Sequence, residues 1–101
     1  IVVRATLLKA KRPDLRAIGV DFLQMVQRRE RERGESEELA LERTAYDLKG
    51  LAKRLDIVVF AAVQPNDKQV EDREDKRPQL RDIARSSGPR RAADIILLIY
   101  R

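Results

Sequence analysis

Apolar positions along this chain follow two rhythms. Leu41, Ala45, Leu48, Ala52 and Leu55 are separated by four, three, four and three residues. At 3.6 residues per turn, such positions return to one face, so the spacing predicts an amphipathic helix from Ser36 to Leu55. Ser36 is a suitable cap, because its hydroxyl can accept a first-turn amide. Glu37 and Glu38 suit the positive end of the helix dipole, Lys53 and Arg54 the negative end. Asp56 closes the helix. A shorter helix is expected over Ile1 to Arg12, with Ala5, Leu8 and Arg12 on one face and Val3, Leu7 and Ala10 beside it. Pro13-Asp14 stops it.

The second rhythm is the short unbroken apolar run. Leu15 to Leu23, Ile57 to Val63 and Asp94 to Tyr100 read as three strands buried on both faces, as parallel strands are. Strand, long crossover helix and strand in that order predict a right-handed parallel βαβ unit. Pro65 ends pairing after the second run, because it has no amide to donate. The polar stretch Gln27 to Glu38 contains no apolar residue and reads as a mobile loop or a solvated helix extension. Asn66 to Arg77 is a second polar loop. A short helix from Pro78 to Ala84 would turn Leu80 and Ile83 inward, and Arg85 to Pro89 form a turn. Arg90 to Ala93 lead into the third run. The expected class is α/β, a mainly parallel sheet with flanking helices in a single domain over residues 1–101.

Composition narrows the chemistry. The chain is 43% apolar and 39% charged, so its core is small and charge-rich. It holds no Cys and no His. Disulfides and thiolate metal sites are excluded, and any metal must use oxygen ligands, which favours Mg²⁺ or Ca²⁺ over Zn²⁺. The absence of Cys fits a cytosolic setting. No apolar run reaches the roughly 18 residues of a membrane span, and no secretory signal is legible. The start, Ile1-Val2-Val3-Arg4, lacks an initiator Met and points to an internal piece of a longer protein. A net charge of +5 is compatible with nucleic acid. Phe22, Tyr46, Phe60 and Tyr100 are the only aromatics, and their pattern reads as buried. Base stacking is therefore not expected, and any grip would be on the phosphate backbone. The basic cluster of the second half is Arg81, Arg85, Arg90 and Arg91, set against Asp82.

Two of the runs end in polar residues at comparable places, Asp21 and Gln64. In a parallel sheet both ends lie on one edge, the edge where ligands bind in open α/β folds. Read from the residues alone, Asp21 is either a strand-end cap or a carboxylate placed to help hold Mg²⁺ beside a nucleotide phosphate. Gln64 either bonds a loop amide or meets a γ-phosphate or attacking water.

Longer matches bear on that choice. Val20-Asp21-Phe22-Leu23-Gln24-Met25 resembles the Walker B segment of replicative DNA helicases of the DnaB family, typically Ile-Asp-Tyr-Leu-Gln-Leu. Leu48-Lys49-Gly50-Leu51-Ala52-Lys53-Arg54-Leu55 is similar to the family's following helix. Glu71-Asp72-Arg73-Glu74-Asp75-Lys76-Arg77-Pro78 resembles its Gln-Arg-Glu-Asp-Lys-Arg-Pro stretch. Ala93-Asp94-Ile95-Ile96-Leu97-Leu98-Ile99-Tyr100-Arg101 resembles its Ala-Asp-x-x-x-x-Leu-Tyr-Arg strand. The matches run in order over nearly the whole chain.

The resemblance implies part of a RecA-like P-loop NTPase core, carrying Walker B onward. The family works as a hexameric ring that hydrolyses ATP or another NTP between subunits and translocates on single-stranded DNA. Primase or a helicase loader would be possible partners. Asp21 would be the Walker B acid, linked to Mg²⁺ through water, and Gln64 the γ-phosphate sensor. The loop from Asn66 to Arg77, including Lys76 and Arg77, would lie toward the central channel. The turn Arg85-Ser86-Ser87-Gly88 is similar to the family's DNA-gripping Arg-Glu-Ser-Gly, and its amides and Arg85 would hold phosphates.

The departures are specific. The family's Ser-Gln-Leu-Ser-Arg is here Val63-Gln64-Pro65-Asn66-Asp67. Aligning Arg85 needs one insertion before it and one deletion after it. The 101 residues contain no Gly-x-x-x-x-Gly-Lys-Ser/Thr phosphate loop. By themselves they are not expected to hydrolyse ATP. The alternatives are another RecA-type ATPase, of the recombination-mediator or clock type, or a non-catalytic DNA-binding or assembly module.

Overall fold

The long helix is the frame on which the rest is hung. A computed structural model of the chain describes residues 1–30, 32–64, 74, 76, 77, 79, 80 and 88–99. Within them the order is α1 (Val2–Lys11), β1 (Ala17–Val20), α2 (Leu23–Glu30), α3 (Glu37–Leu55), β2 (Val58–Ala61) and α4 (Gly88–Ala92).

α3 forms where its stripe and caps require. The Leu39 amide donates to Ser36 Oγ at 3.2 Å, which satisfies one of the first-turn donors that the helix itself leaves unpaired. Asp56 closes the other end in the left-handed region, at φ 52°. Ala40, Leu41, Thr44, Ala45, Leu48 and Leu51 are its buried residues. The buried face is thus wider than the expected stripe and turned toward Ala40 and Leu51, while Ala52 and Leu55 are only half-buried. Burying each such Leu contributes roughly 1.5–3 kcal/mol. Thr44 is buried without cost to its hydroxyl, which donates to the Ala40 carbonyl at 2.8 Å. The turn before α3 uses Gly34 at φ +82°. It is tied down by Arg43, whose guanidinium donates to both Glu35 carboxylate oxygens at 3.0 Å. That pairing holds the Arg43 pKa above its ordinary value.

β1 and β2 form a two-stranded parallel sheet with Ala17 opposite Val58 and Val20 opposite Ala61. The expected parallel βαβ unit is therefore present. The expectation of strands buried on both faces is corrected. Ile18, Val20, Val59 and Val63 pack into or against the core formed with α3. Their neighbours on the other face are exposed, Val58 at 53% and Phe60 at 64%. A two-stranded sheet beside one layer of helices has one covered face.

Five further expectations change. The first strand ends at Val20 rather than Leu23, and Leu23 instead begins α2. An apolar run cannot by itself distinguish a strand from a helix, and Leu23, Val26 and Gln27 have the i, i+3, i+4 spacing of one helix face. Gln27, read as part of a solvated stretch, is 3% exposed, and its Nε2 lacks a partner. Residues Gly88–Ala92 form α4, not the end of a turn, with Gly88, Pro89 and Ala92 buried. The run from Asp94 makes no strand among its described residues, and Ile95, Leu97 and Ile99 are each about 80% exposed. Apolar side chains alone do not make a strand; the backbone must also find a pairing edge. Finally, Phe60 and Tyr46 are exposed and Phe22 is half-buried, so the aromatics are not uniformly interior. The expected helix from Pro78 to Ala84 lies largely outside the described residues.

Residues 88–94 are held onto α3 by three contacts. Gly88 meets the α3 backbone so closely that a Cβ there would lie 2.6 Å from Glu42 Cα. Arg91 pairs with Glu42 at 3.8 Å. Lys49 pairs with Asp94, and this contact draws the Asp94 carboxyl below its ordinary pKa.

Candidate functional site

Strand alternation decides which side chains share a face. In the β1–β2 register, Ile18 and Val20 stand with Val59 and Ala61, while Ala17 and Gly19 stand with Val58 and Phe60. The second set is the uncovered face. One residue past Val20 lies Asp21, and carrying the register forward sets it opposite Ala62. The sheet is extended in this way by two hydrogen bonds: the Ala62 amide donates to the Val20 carbonyl at 2.9 Å, and the Leu23 amide to the Ala62 carbonyl at 2.8 Å.

Asp21 sits at the bend between β1 and α2 and is exposed. The Asp21–Phe22 peptide is cis. Gln64 is also exposed and lies two residues beyond Ala62, so alternation returns it to the same face. Val63 between them packs against the core. Two sequence-identified residues are thus brought to one end and one face of a parallel strand pair. Among the described residues neither the Asp21 carboxylate nor the Gln64 side-chain amide has a hydrogen-bond or ion-pair partner.

A third residue belongs to this edge, and the residue types alone did not single it out. Gln24, in the first turn of α2, bonds both backbone groups of Gln64. Its Nε2 donates to the Gln64 carbonyl at 3.0 Å, and its Oε1 accepts the Gln64 amide at 3.2 Å. No signal of spacing marks a partnership across 40 residues; it arises only when α2 starts at Leu23.

The fit to a metal can be judged from the donor set. No group of three or more His, Cys, Asp or Glu side chains converges among the described residues. A closed, all-protein metal cage is not built among them. A single exposed carboxylate at a strand end suits Mg²⁺, which keeps several waters and is completed by substrate phosphates.

The remaining sequence-identified residues divide. Lys76 and Arg77 are exposed. Arg85, Ser86 and Ser87 lie outside the described residues, as do Arg81 and Tyr100. Gly88 is buried against Glu42, so packing alone gives this position a reason to be glycine. Arg91, from the expected basic cluster, pairs with Glu42. No described helix is long and apolar enough to cross a membrane.

Comparison with known proteins returns one consistent answer. The family model for the DnaB-like helicase C-terminal domain matches residues 1–101. Replicative DNA helicase DnaB of Helicobacter pylori strain J99 is 37% identical over 94 residues, covering 93% of this chain and 19% of that protein. The same enzyme of Rickettsia bellii is 37% identical over 101 residues, covering all of this chain and 20% of that protein. A solved ATPase domain of a DnaB-like helicase superposes with a TM-score of 0.85 at 34% identity, covering 99% of this chain and 34% of that one. A DnaB-like replicative helicase, solved in a study of its interactions with primase, gives a TM-score of 0.78 at 32% identity over 92% of this chain and 22% of that one. The chain spans about a fifth of the length of these curated relatives. Its fold is that of part of a RecA-like helicase domain.

Proposed function

We propose, since the chain belongs to the DnaB-like helicase C-terminal domain family, that it contributes the Mg²⁺-facing and γ-phosphate-facing strand ends of an ATP-driven replicative helicase motor. The observation that carries this reading is the common face and edge shared by Asp21 and Gln64. Asp21 holds the metal, directly or through water. When bound, Mg²⁺ supplies neutralisation of charge on the transferring phosphoryl group. Gln64 offers an amide that can donate to a γ-phosphate oxygen or orient the attacking water. The side chain is suited to both tasks because it carries donor and acceptor and no charge.

The work coupled to hydrolysis is translocation on single-stranded DNA by a ring of subunits, six in number by family likeness. Lys76, Arg77, Arg85, Ser86 and Ser87 remain the proposed phosphate contacts, while Gly88, expected among them, is buried against Glu42 and is set aside. Such contacts give affinity that tolerates any sequence and falls with salt. Primase is a candidate partner, because one structural relative was solved in a study of its interactions with primase. The named relatives are replicative helicases, which favours this role over the recombination-mediator and clock-type alternatives. A phosphate loop elsewhere in the full-length protein separates the motor reading from a non-catalytic module.

The experiment is ATP hydrolysis and duplex unwinding by the full-length protein carrying Asp21→Asn. The expected result is loss of Mg²⁺-dependent turnover with nucleotide and DNA still bound. Unchanged turnover would remove Asp21 from the metal site. For the DNA contacts, Arg85→Ala should weaken single-strand affinity about equally across sequences and lower its salt dependence.

A further inference from the structure

In an extended strand, a residue's N–H and C=O point to the same side, and alternate residues share that side. Ala62 and Gln64 therefore present their backbone groups toward the same neighbour. For Ala62 the neighbour is backbone, Val20 and Leu23. For Gln64 no strand residue remains, because the chain has already turned into α2 at Leu23. The Gln24 side chain fills that rung. A primary amide is planar, with a donor and an acceptor on one edge, and so reproduces what a paired peptide would offer. Both bonds are of ordinary length, 3.0 and 3.2 Å.

The clamp stands on a fixed support. Gln24 follows Leu23, which is 2% exposed and whose amide is bonded to the Ala62 carbonyl. Gln24 is also three residues from Asp21, on the same turn into α2. Fixing the backbone plane of Gln64 fixes the direction in which its Cβ leaves the strand, which is the open face it shares with Asp21.

We infer that Gln24 is a positioning residue for Gln64: its side-chain amide locks the Gln64 backbone and so holds the Gln64 side chain in register with Asp21. The inference rests on the reading of Gln64 as the residue that meets the γ-phosphate or attacking water. Gln24 itself need not touch the nucleotide. It sets the distance between two groups that do, and small errors in such placement are costly to turnover.

The test is a double-mutant cycle in the full-length protein, with Gln24→Met, Gln64→Ala and both together. Met has nearly the length of Gln and neither donor nor acceptor. Steady-state ATP hydrolysis is measured with single-stranded DNA present. Gln24→Met should lower kcat about tenfold with KM for ATP changed by less than about twofold. In the Gln64→Ala background it should cause no further fall, because its route of action is already gone. An unchanged kcat in Gln24→Met alongside a reduced one in Gln64→Ala would overturn the inference while leaving the sensor reading intact. An equal fall in both backgrounds would overturn it too, since a merely structural role acts regardless of Gln64. An unchanged kcat in Gln64→Ala would remove the sensor reading, and this inference with it. If Gln24→Met melts below the assay temperature, Gln24→Asn replaces it in the same cycle. Asn keeps the amide but withdraws it by one methylene, and the same outcomes decide.

Discussion

The two faces of the β1–β2 pair differ in almost every respect. On one, Ile18, Val20, Val59 and Val63 join Leu41, Leu48 and Leu51 of α3 in the core. On the other, Val58 and Phe60 stand exposed; their row leads to Gln64, and the row of Ala17 and Gly19 beside it leads to Asp21. The covered face is bound by packing; the open face carries polar groups that have no partner within the described residues. A one-residue shift in either strand would exchange the two sets, because side chains alternate with a period of two. On the proposed function, stability and chemistry are thus separated across a single sheet.

Substitutions on the two faces should therefore fail in different ways. The largest effect is expected on the open face. Asp21→Asn should lower ATP turnover by about a hundredfold or more while leaving the melting temperature of the full-length protein nearly unchanged. A large fall in melting temperature would show that Asp21 serves the fold. On the covered side Leu51→Ala should do the reverse. It removes a fully buried side chain, and such losses cost about 2–5 kcal/mol. Denaturant unfolding should show the cost, and residual turnover at low temperature should be near that of the parent.

Smaller effects test the attachments of the frame. Gly88→Ala forces a methyl to within 2.6 Å of the α3 backbone and should cost about 1–3 kcal/mol. A neutral result in thermal unfolding would mean that α4 can move off α3 freely. Ser36→Ala removes the hydroxyl that accepts the Leu39 amide and should cost about 1 kcal/mol, read as a lower unfolding midpoint. The smallest effect is expected from the exposed Lys49–Asp94 pair. Its carboxyl has a pKa lowered from 3.8, so the contribution is full above about that pH and is lost as pH falls through the lowered value. Stability of the parent and of Asp94→Asn should therefore differ by the same small amount from pH 8 to pH 5 and converge below it. A difference that changes between pH 6 and 8 would have another source.

How much was legible depended on whether local residues set the outcome. α3 was, with Ser36 at its cap and Asp56 at its end, because stripe, dipole and capping are all properties of neighbours in sequence. The parallel pairing followed from the long crossover. The boundary at Val20 was not, since Leu23 to Val26 satisfy a strand and a helix equally well as an apolar run. The run from Asp94 was strand-like in composition yet forms no described strand, because a strand also needs its backbone paired, which composition does not supply. Gln24 resembled a family motif but had no visible partner.

By itself, then, the sequence determined the α3 frame, the α/β class, the family and the identity of Asp21 and Gln64 as the polar ends of two apolar runs. Each of these is encoded in residue type and short-range spacing. Only the tertiary structure decided that both residues leave the same uncovered face, that Gly88 is pressed against Glu42, and that Gln24 holds the Gln64 backbone. Those facts depend on strand register and on where the first strand stops. Both are settled by packing and hydrogen bonding between segments far apart in the chain.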